Sequence, residues 1–473
     1  MKEKGLFVFI VLCFVVMLAP FAGMLVAPTT ETTENKELME LPVLKDENGI
    51  NINFLSQLGD YFQEHFAFRQ ELVSANAKIY GEVFDASTTD QVVIGDEDWM
   101  YYTGTLDDYL GDNVMSDRAI FNAVHNLKIM QNYVESKGGQ FLLAIVPNKN
   151  SLYDENMPYY YEKTDDATNY DKLRVKMLEE GISFVDLHET FLGIDEVLYL
   201  KRDSHWRNTG AVVAYNAMMG AMTTGYETYE NVPYETRVDY IGDLTEMLYP
   251  LNSEPEANEY YQKDWSWTYV NEVTDNMDEW IETQNSEADE TLLMYRDSFG
   301  ESLLPFFAES FENAYFSRLV PYNLANVDRY TPDYTIIEKV ERRIPSFASE
   351  LPILSAPTLK IKVDTVLESE STIEVSSEGG YYSVRGVVDA NVMTDDSEIR
   401  VLFTNEQGKS VGYIPFYISG ESDAENNDYG YGMYIEKRSI PADTYNVQLI
   451  IESKGQLVCV DSQKIDLRKY NEK

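Results

Sequence analysis

The chain of 473 residues carries 81 acidic against 37 basic side chains, a formal charge of −44. That balance excludes a nucleic-acid binder, which needs a basic face to displace counterions, and equally a surface that spreads on anionic lipid. A hydrophobic fraction of 44% and an aromatic fraction of 13% exclude a wholly disordered chain, and the length accommodates about two to four domains.

Residues 5–27 form an uncharged apolar run after a Met-Lys-Glu-Lys start. A signal-peptide core needs about 7–15 apolar residues and a membrane span about 20. The run is therefore read as an uncleaved single-pass signal anchor, with a cleaved signal peptide as the alternative. Either way the bulk lies outside the cytoplasm, at the cell membrane. Residues 28–50 read as a linker, polar and Thr/Glu-rich from 29 to 40.

From residue 51 the pattern turns helical, with Phe54, Leu58, Tyr61, Phe62 and Phe66, then Leu72, Ile79 and Val83, at helical spacing. A hairpin follows over 91–102 around a Gly-Asp-Glu-Asp turn. Helices are predicted at about 116–137, 170–180 and 208–222, with apolar strands at 141–146 and 182–187. A long polar, acidic stretch comes next, of which 272–290 reads as solvated surface. Then come a strand at 291–295, a helix to about 311, and strands near 314–319 and 334–340. Apolar strands alternating with helices predict an α/β fold with a mostly parallel sheet flanked by helices, spanning 51–350. Beyond Pro352 and Pro357, alternating segments at 359–363, 381–388, 399–403, 445–451 and 457–460 predict a β-sandwich accessory domain over 356–473.

Two local patterns carry chemistry. Asp203-Ser-His205-Trp206 precedes a helix, and residues two apart in an extended segment project to one side, about 6–7 Å apart. A carboxylate so placed can hold an imidazole in one tautomer, as in the Asp–His half of a nucleophilic triad. A histidine that caps or packs at a helix start gives the same pattern. Ser298 ends the strand 291–295 and begins a helix, at the carboxyl edge of a parallel sheet, where ligand crevices lie. The helix start offers free N–H groups for an oxyanion, but serine is also a preferred N-cap.

Taken in order, Asp-x-His-Trp with Asn208, Gly210 and Ala211, then Gly242-Asp243-Leu244 with Met247-Leu248, then Asp297-Ser298-Phe299 resemble the DHHW/alginate O-acetylation (AlgX/AlgJ-like) family of SGNH-hydrolase-like proteins. The segments Phe62–Arg69, Val93–Tyr101, Val146-Pro147-Asn148-Lys149 and Val340-Glu341-Arg342 extend the resemblance, which covers about 51–344. The resemblance implies Ser298 as nucleophile, His205 as general acid/base and Asp203 as its orienting carboxylate. The Ser298 N–H would be one oxyanion donor, with Asn148, Lys149, Arg296 and Trp206 as further oxyanion or substrate-binding candidates. It further implies O-acetylation of a secreted or cell-surface polysaccharide, a membrane-bound O-acyltransferase as acetyl donor, and no cofactor. The signature departs from Asp-His-His-Trp at Ser204, and Arg-Asp-Ser replaces the usual Gly-Asp-Ser around the serine.

Two other readings remain: an esterase using the same triad with water as acceptor, and a non-catalytic scaffold binding glycan or the acyltransferase. His65, His125 and His188 suggest no metal set, Cys13 and Cys459 form no zinc-ligand spacing, and no acidic pair is singled out for a glycosidase.

Overall fold

The structure is a computed structural model that describes residues 2–470 except 25, 27, 30–37, 47–48, 85, 224, 252, 364, 368, 421–427 and 454. Of the anchor run, 25 and 27 fall outside the described residues. Its helix, Lys2–Met24, includes the stretch Gly5–Met24, long and apolar enough to cross a membrane and not buried by the rest of the chain.

The central sheet has seven strands, in spatial order Phe184–Val185, Gln140–Val146, Tyr334–Val340, Thr291–Tyr295, Asn313–Ser317, Trp280–Gln284 and Thr268–Tyr269. The first five are parallel and the last two add an antiparallel edge. The parallel strands are continuous apolar runs because both faces are covered. One face packs on Leu187–Leu192, Asn208–Met222 and Leu304–Ser310, through residues such as Phe191, Tyr215 and Phe307. The other packs on Asp117–Ser136 and Asn169–Glu180, through Val124, Leu127, Leu173 and Met177.

Several sequence-based expectations are corrected. The stretch 272–290 is not all solvated surface, since it supplies the strand Trp280–Gln284 with Ile281 and Thr283 buried. The hairpin Tyr234–Tyr240 with Glu256–Tyr261 also emerges from the polar region. The strand foreseen over 182–187 is cut to two residues. Asp186 instead accepts the Glu189 N–H and caps a short helix, ending the extended run. The helical region after 51 is two helices, Phe54–His65 and Arg69–Phe84, separated at Phe68, whose φ is 62°.

The C-terminal region is β-rich, with a six-stranded and a four-stranded sheet enclosing Val401, Phe403, Tyr382, Met433 and Leu449. It meets the α/β part along the helix Asp117–Ser136. There the Asn126 amide donates to the carbonyls of Phe347 and Tyr417, and the His125 ring stacks 3.6 Å from Tyr417. Burial pushes the His125 imidazole down to about 3, which keeps it neutral.

Candidate active site

The parallel strands deliver their carboxyl ends to one edge of the sheet, and the sequence motifs gather there. Thr291–Tyr295 runs into Arg296-Asp297-Ser298, followed by a short 3₁₀ turn Phe299–Glu301 before the helix Leu304–Ser310. Asp297 shapes that turn, since its carboxylate accepts the Phe299 N–H at 2.9 Å and the Val340 N–H at 2.8 Å. Ser298 is half-buried, and among the described residues its own N–H meets no acceptor.

The His205 Nε2 lies 2.8 Å from Ser298 Oγ, and its Nδ1 lies 2.7 Å from Asp203 Oδ1. The same Asp203 oxygen accepts the His205 backbone N–H at 2.7 Å, and its other oxygen accepts the Asp243 N–H at 2.8 Å. Ser298, His205 and Asp203, 95 residues apart in sequence at the extremes, thus form one continuous hydrogen-bonded line. Burial alone would push the His205 imidazole down, but the Asp203 carboxylate and then Asp243 and Asp297 raise it to about 8. Burial would likewise push the Asp203 carboxyl up, and the adjacent imidazole with its hydrogen bonds holds it below the usual carboxylate range.

Two supports were not assigned from sequence. Asp243 accepts from both the Ser204 N–H (2.7 Å) and the Ser204 hydroxyl (2.5 Å) while donating its own N–H to Asp203. It is a positioning residue that clamps the Asp203–His205 segment reciprocally. Its neighbour Gly242 lets the two loops touch, because a Cβ there would meet the Arg202 carbonyl oxygen at 2.2 Å. The Gly-Asp-Leu motif was the available signal, but nothing in a lone sequence says which loop it closes upon. Asp243→Ala leaves two donors of Ser204 unpaired, and is expected to cost about 1–3 kcal/mol and to slow Ser298 acylation about 100-fold. Asp243→Asn, which keeps an acceptor for the Ser204 N–H, is expected to recover most of both. Chemical denaturation and acylation kinetics of the two variants check this.

The second support is Lys149. It is buried, and its ammonium donates to the carbonyls of Leu200, Lys201 and Asp203 at 3.1, 3.0 and 2.7 Å, over the rings of Trp99 and Tyr101. Burial pulls it down to about 8, with Asp203 and Asp243 opposing. Lys149 thus holds the Asp203–His205 loop from below. The other candidates are also buried and otherwise engaged. Asn148 donates its N–H to Glu341 and its amide to Asp108. Arg296 donates to the Asn276 carbonyl, and Trp206 donates to Ser302 Oγ at 2.5 Å with its ring edge-on to Phe299. Among the described residues, none of these four hydrogen-bonds Ser298.

Asp203, His205 and Asp243 also place three donor atoms within 4.8 Å of one another. The oxygens of both carboxylates already accept N–H or O–H donors, so the trio is arranged as a hydrogen-bond relay. A cavity of about 540 Å³ opens elsewhere, where Arg342, Arg343 and Ser346 face Ile418 and Asp428, and no residue of the Ser298–His205–Asp203 line lines it.

Residues 92–285 match a family described as SGNH hydrolase-like domain, acetyltransferase AlgX; the match includes Asp203 and His205 and ends before Ser298. A protein of Pseudomonas syringae pv. tomato described as "Probable alginate O-acetylase AlgJ" is 27% identical over 172 residues, covering 34% of this chain and 42% of that one. The match thus spans about two fifths of that relative's length. Among solved structures, a DHHW family protein from Eubacterium siraeum aligns with a TM-score of 0.39 at 16% identity, covering 50% of this chain and 89% of that one. The O-acetyltransferase domain of Pseudomonas putida AlgJ aligns with a TM-score of 0.36 at 18% identity, covering 54% and 92%. The resemblance read from the ordered motifs therefore holds, in that residues 92–285 match the SGNH hydrolase-like domain family described as acetyltransferase AlgX.

Proposed function

We propose that this chain is a membrane-anchored O-acetyltransferase that acts outside the cytoplasm on an alginate-type polysaccharide, through a Ser298 acyl-enzyme. The observation that carries the reading is the unbroken line from Ser298 Oγ through His205 to Asp203, with the Ser298 N–H beside it meeting no acceptor among the described residues. Ser298 Oγ attacks the acetyl carbonyl and gives its proton to His205 Nε2, while the developing oxyanion takes the Ser298 N–H. Collapse breaks the bond to the leaving group, which departs with the proton from His205. A sugar hydroxyl then attacks the acetyl-serine, His205 accepts its proton and returns it to Ser298 Oγ, and the sugar ester is released. Asp203 keeps the Nδ1–H in place throughout and stabilises the transient imidazolium. The acetyl donor would be delivered by a membrane-bound O-acyltransferase, a partnership suited to a chain whose N-terminal helix is long and apolar enough to cross a membrane.

The test uses the full chain in nanodiscs with an activated acetyl ester and uronate or neutral oligosaccharide acceptors, read by mass spectrometry. Acetylated oligosaccharide together with an acetyl adduct on Ser298 is expected. Free acetate with no acetylated sugar from any acceptor would make the chain an esterase, and transfer that persists in Ser298→Ala would remove the serine mechanism.

The acylation step carries its own pH signature. With His205 raised to about 8, the imidazole is mostly protonated at neutral pH and cannot take the serine proton. The kcat/KM for the activated ester is therefore expected to rise about tenfold per pH unit up to pH ~8 and then level off. A profile that is flat from pH 6 to 9 would show that His205 is not the base.

A further inference from the structure

Outside the apolar helix, exposed large apolar side chains are densest between Met39 and Val83. The helix Phe54–His65 buries none of its residues fully: Phe54, Tyr61, Phe62 and His65 are half-buried, and Leu55 and Leu58 are exposed. Yet it is sharply two-faced. Phe54, Leu58, Tyr61, Phe62 and His65 fall on one side, with Leu55 at its border, and Ser56, Asp60, Gln63 and Glu64 fall on the other. Leu55 is 79% exposed. The following helix, Arg69–Phe84, continues the pattern by exposing Leu72, Ile79 and Val83 along one stripe, with Phe68 exposed at the junction. An amphipathic helix whose apolar side meets no protein core is stabilised only if something apolar covers that side.

Its position says what does. The Phe62 ring lies 5.3 Å from Phe21, near the end of the apolar N-terminal helix, and the Ala67 N–H donates to the Pro20 carbonyl at 3.2 Å. The Thr29 N–H donates to the His65 carbonyl at 3.1 Å. The apolar face is thus continuous with the end of a segment long enough to cross a bilayer. Aromatic and aliphatic side chains at that level match the composition of a membrane interface.

We propose that the helices Phe54–His65 and Arg69–Phe84 lie in the interfacial layer of the lipid bilayer, seating the α/β domain against the membrane surface. The inference rests on Gly5–Met24 spanning the membrane. The helix Phe54–His65 carries no Lys or Arg, while Asp60 and Glu64 sit on the side turned away. Seating is therefore driven by apolar burial and does not require anionic lipid. Its consequence is geometric, since it limits the tilt of the candidate site relative to the bilayer from which an acetyl donor would work.

The test places an environment-sensitive fluorophore on single cysteines of the full chain in phosphatidylcholine nanodiscs containing shallow nitroxide lipid. Leu55→Cys, Ile79→Cys and Gln63→Cys are made in a Cys13→Ser background, Cys459 being buried. The unsubstituted chain labelled at Cys13 reports on the span itself. Labels at 55 and 79 are expected to be quenched about threefold more by the lipid nitroxide than by aqueous iodide, with the order reversed at 63. Labels at 55 and 79 open to iodide, with Cys13 still quenched by lipid, would overturn the seating while leaving the span intact. Loss of lipid quenching at Cys13 as well would overturn the span and the seating together.

Discussion

His205→Ala is expected to slow acetylation of Ser298 on the order of 10⁴-fold. The fold should survive it, because the Asp203 carboxylate keeps the backbone N–H groups of residues 205 and 243 as donors. Asp203→Asn separates orientation from charge. One Asp203 oxygen accepts from both the backbone and the ring of His205, and the other accepts from the Asp243 N–H. An amide can serve only one of these sides as acceptor, so its NH₂ must face an N–H donor whichever way it turns. Turned with its NH₂ toward His205 it takes the ring's fixed tautomer away, and turned the other way it sets an NH₂ against the Asp243 N–H, so the expected loss is on the order of 10³–10⁴-fold. Removing the carboxylate also removes what raises His205 above the level that burial alone would set. Residual activity of Asp203→Asn should therefore show a pH midpoint below that of the unsubstituted chain. Stopped-flow acylation by an activated ester, followed from pH 5 to 9, measures both effects. An Asp203→Asn enzyme with an unchanged rate would assign the carboxylate to folding alone.

How much of this was legible in the sequence follows from where the signals reside. Phe141–Val146 and Tyr334–Val340 are buried along nearly their whole length, so their composition alone marks them as central strands. The strand Trp280–Gln284, next to the sheet edge, buries only Ile281 and Thr283, and its polar remainder is indistinguishable from a loop without its partner Asn313–Ser317. The hairpin strand Tyr234–Tyr240 is exposed almost throughout and carries no burial pattern to read. At the site, the Asp-x-His pair is local, and two-residue spacing announces it. The joining of Ser298 to His205 across 93 positions is tertiary and needed the family's ordered motifs to be foreseen. The support from Lys149 depends on a strand end meeting the carbonyls of a distant loop, which no periodicity encodes.

The arginine–aspartate–serine turn rests on a carboxyl group from the neighbouring strand, and the second large effect is expected there. Glu338 lies fully buried in Tyr334–Val340, and its Oε2 accepts the Asp297 N–H at 3.0 Å. Burial first, and then the Asp297 carboxylate, push the Glu338 carboxyl well above its ordinary range, which favours the neutral acid. Glu338→Ala removes the acceptor for Asp297 and opens a cavity beneath the turn. The expected cost is about 3 kcal/mol in stability and about 100-fold in acylation, as the serine shifts relative to His205. Glu338→Gln presents a carbonyl to the same N–H and an NH₂ to the Asp297 carboxylate, and is expected to acylate normally. A folded-state pKa raised above the unfolded one gives stability that is complete below pH ~4.5 and declines as pH rises toward the folded value. Glutamine has no proton to lose. The Glu338→Gln chain should therefore gain on the unsubstituted chain as pH rises above about 5, by at most ~1.4 kcal/mol per unit. Paired denaturant titrations from pH 5 to 8 read this difference directly, because every other titrating group is common to both chains. A difference independent of pH would mean that Glu338 is ionised in the folded protein. Arg296, whose Cβ and Cδ approach Gly300 and whose Nε has no partner among the described residues, would then be the group compensating that charge.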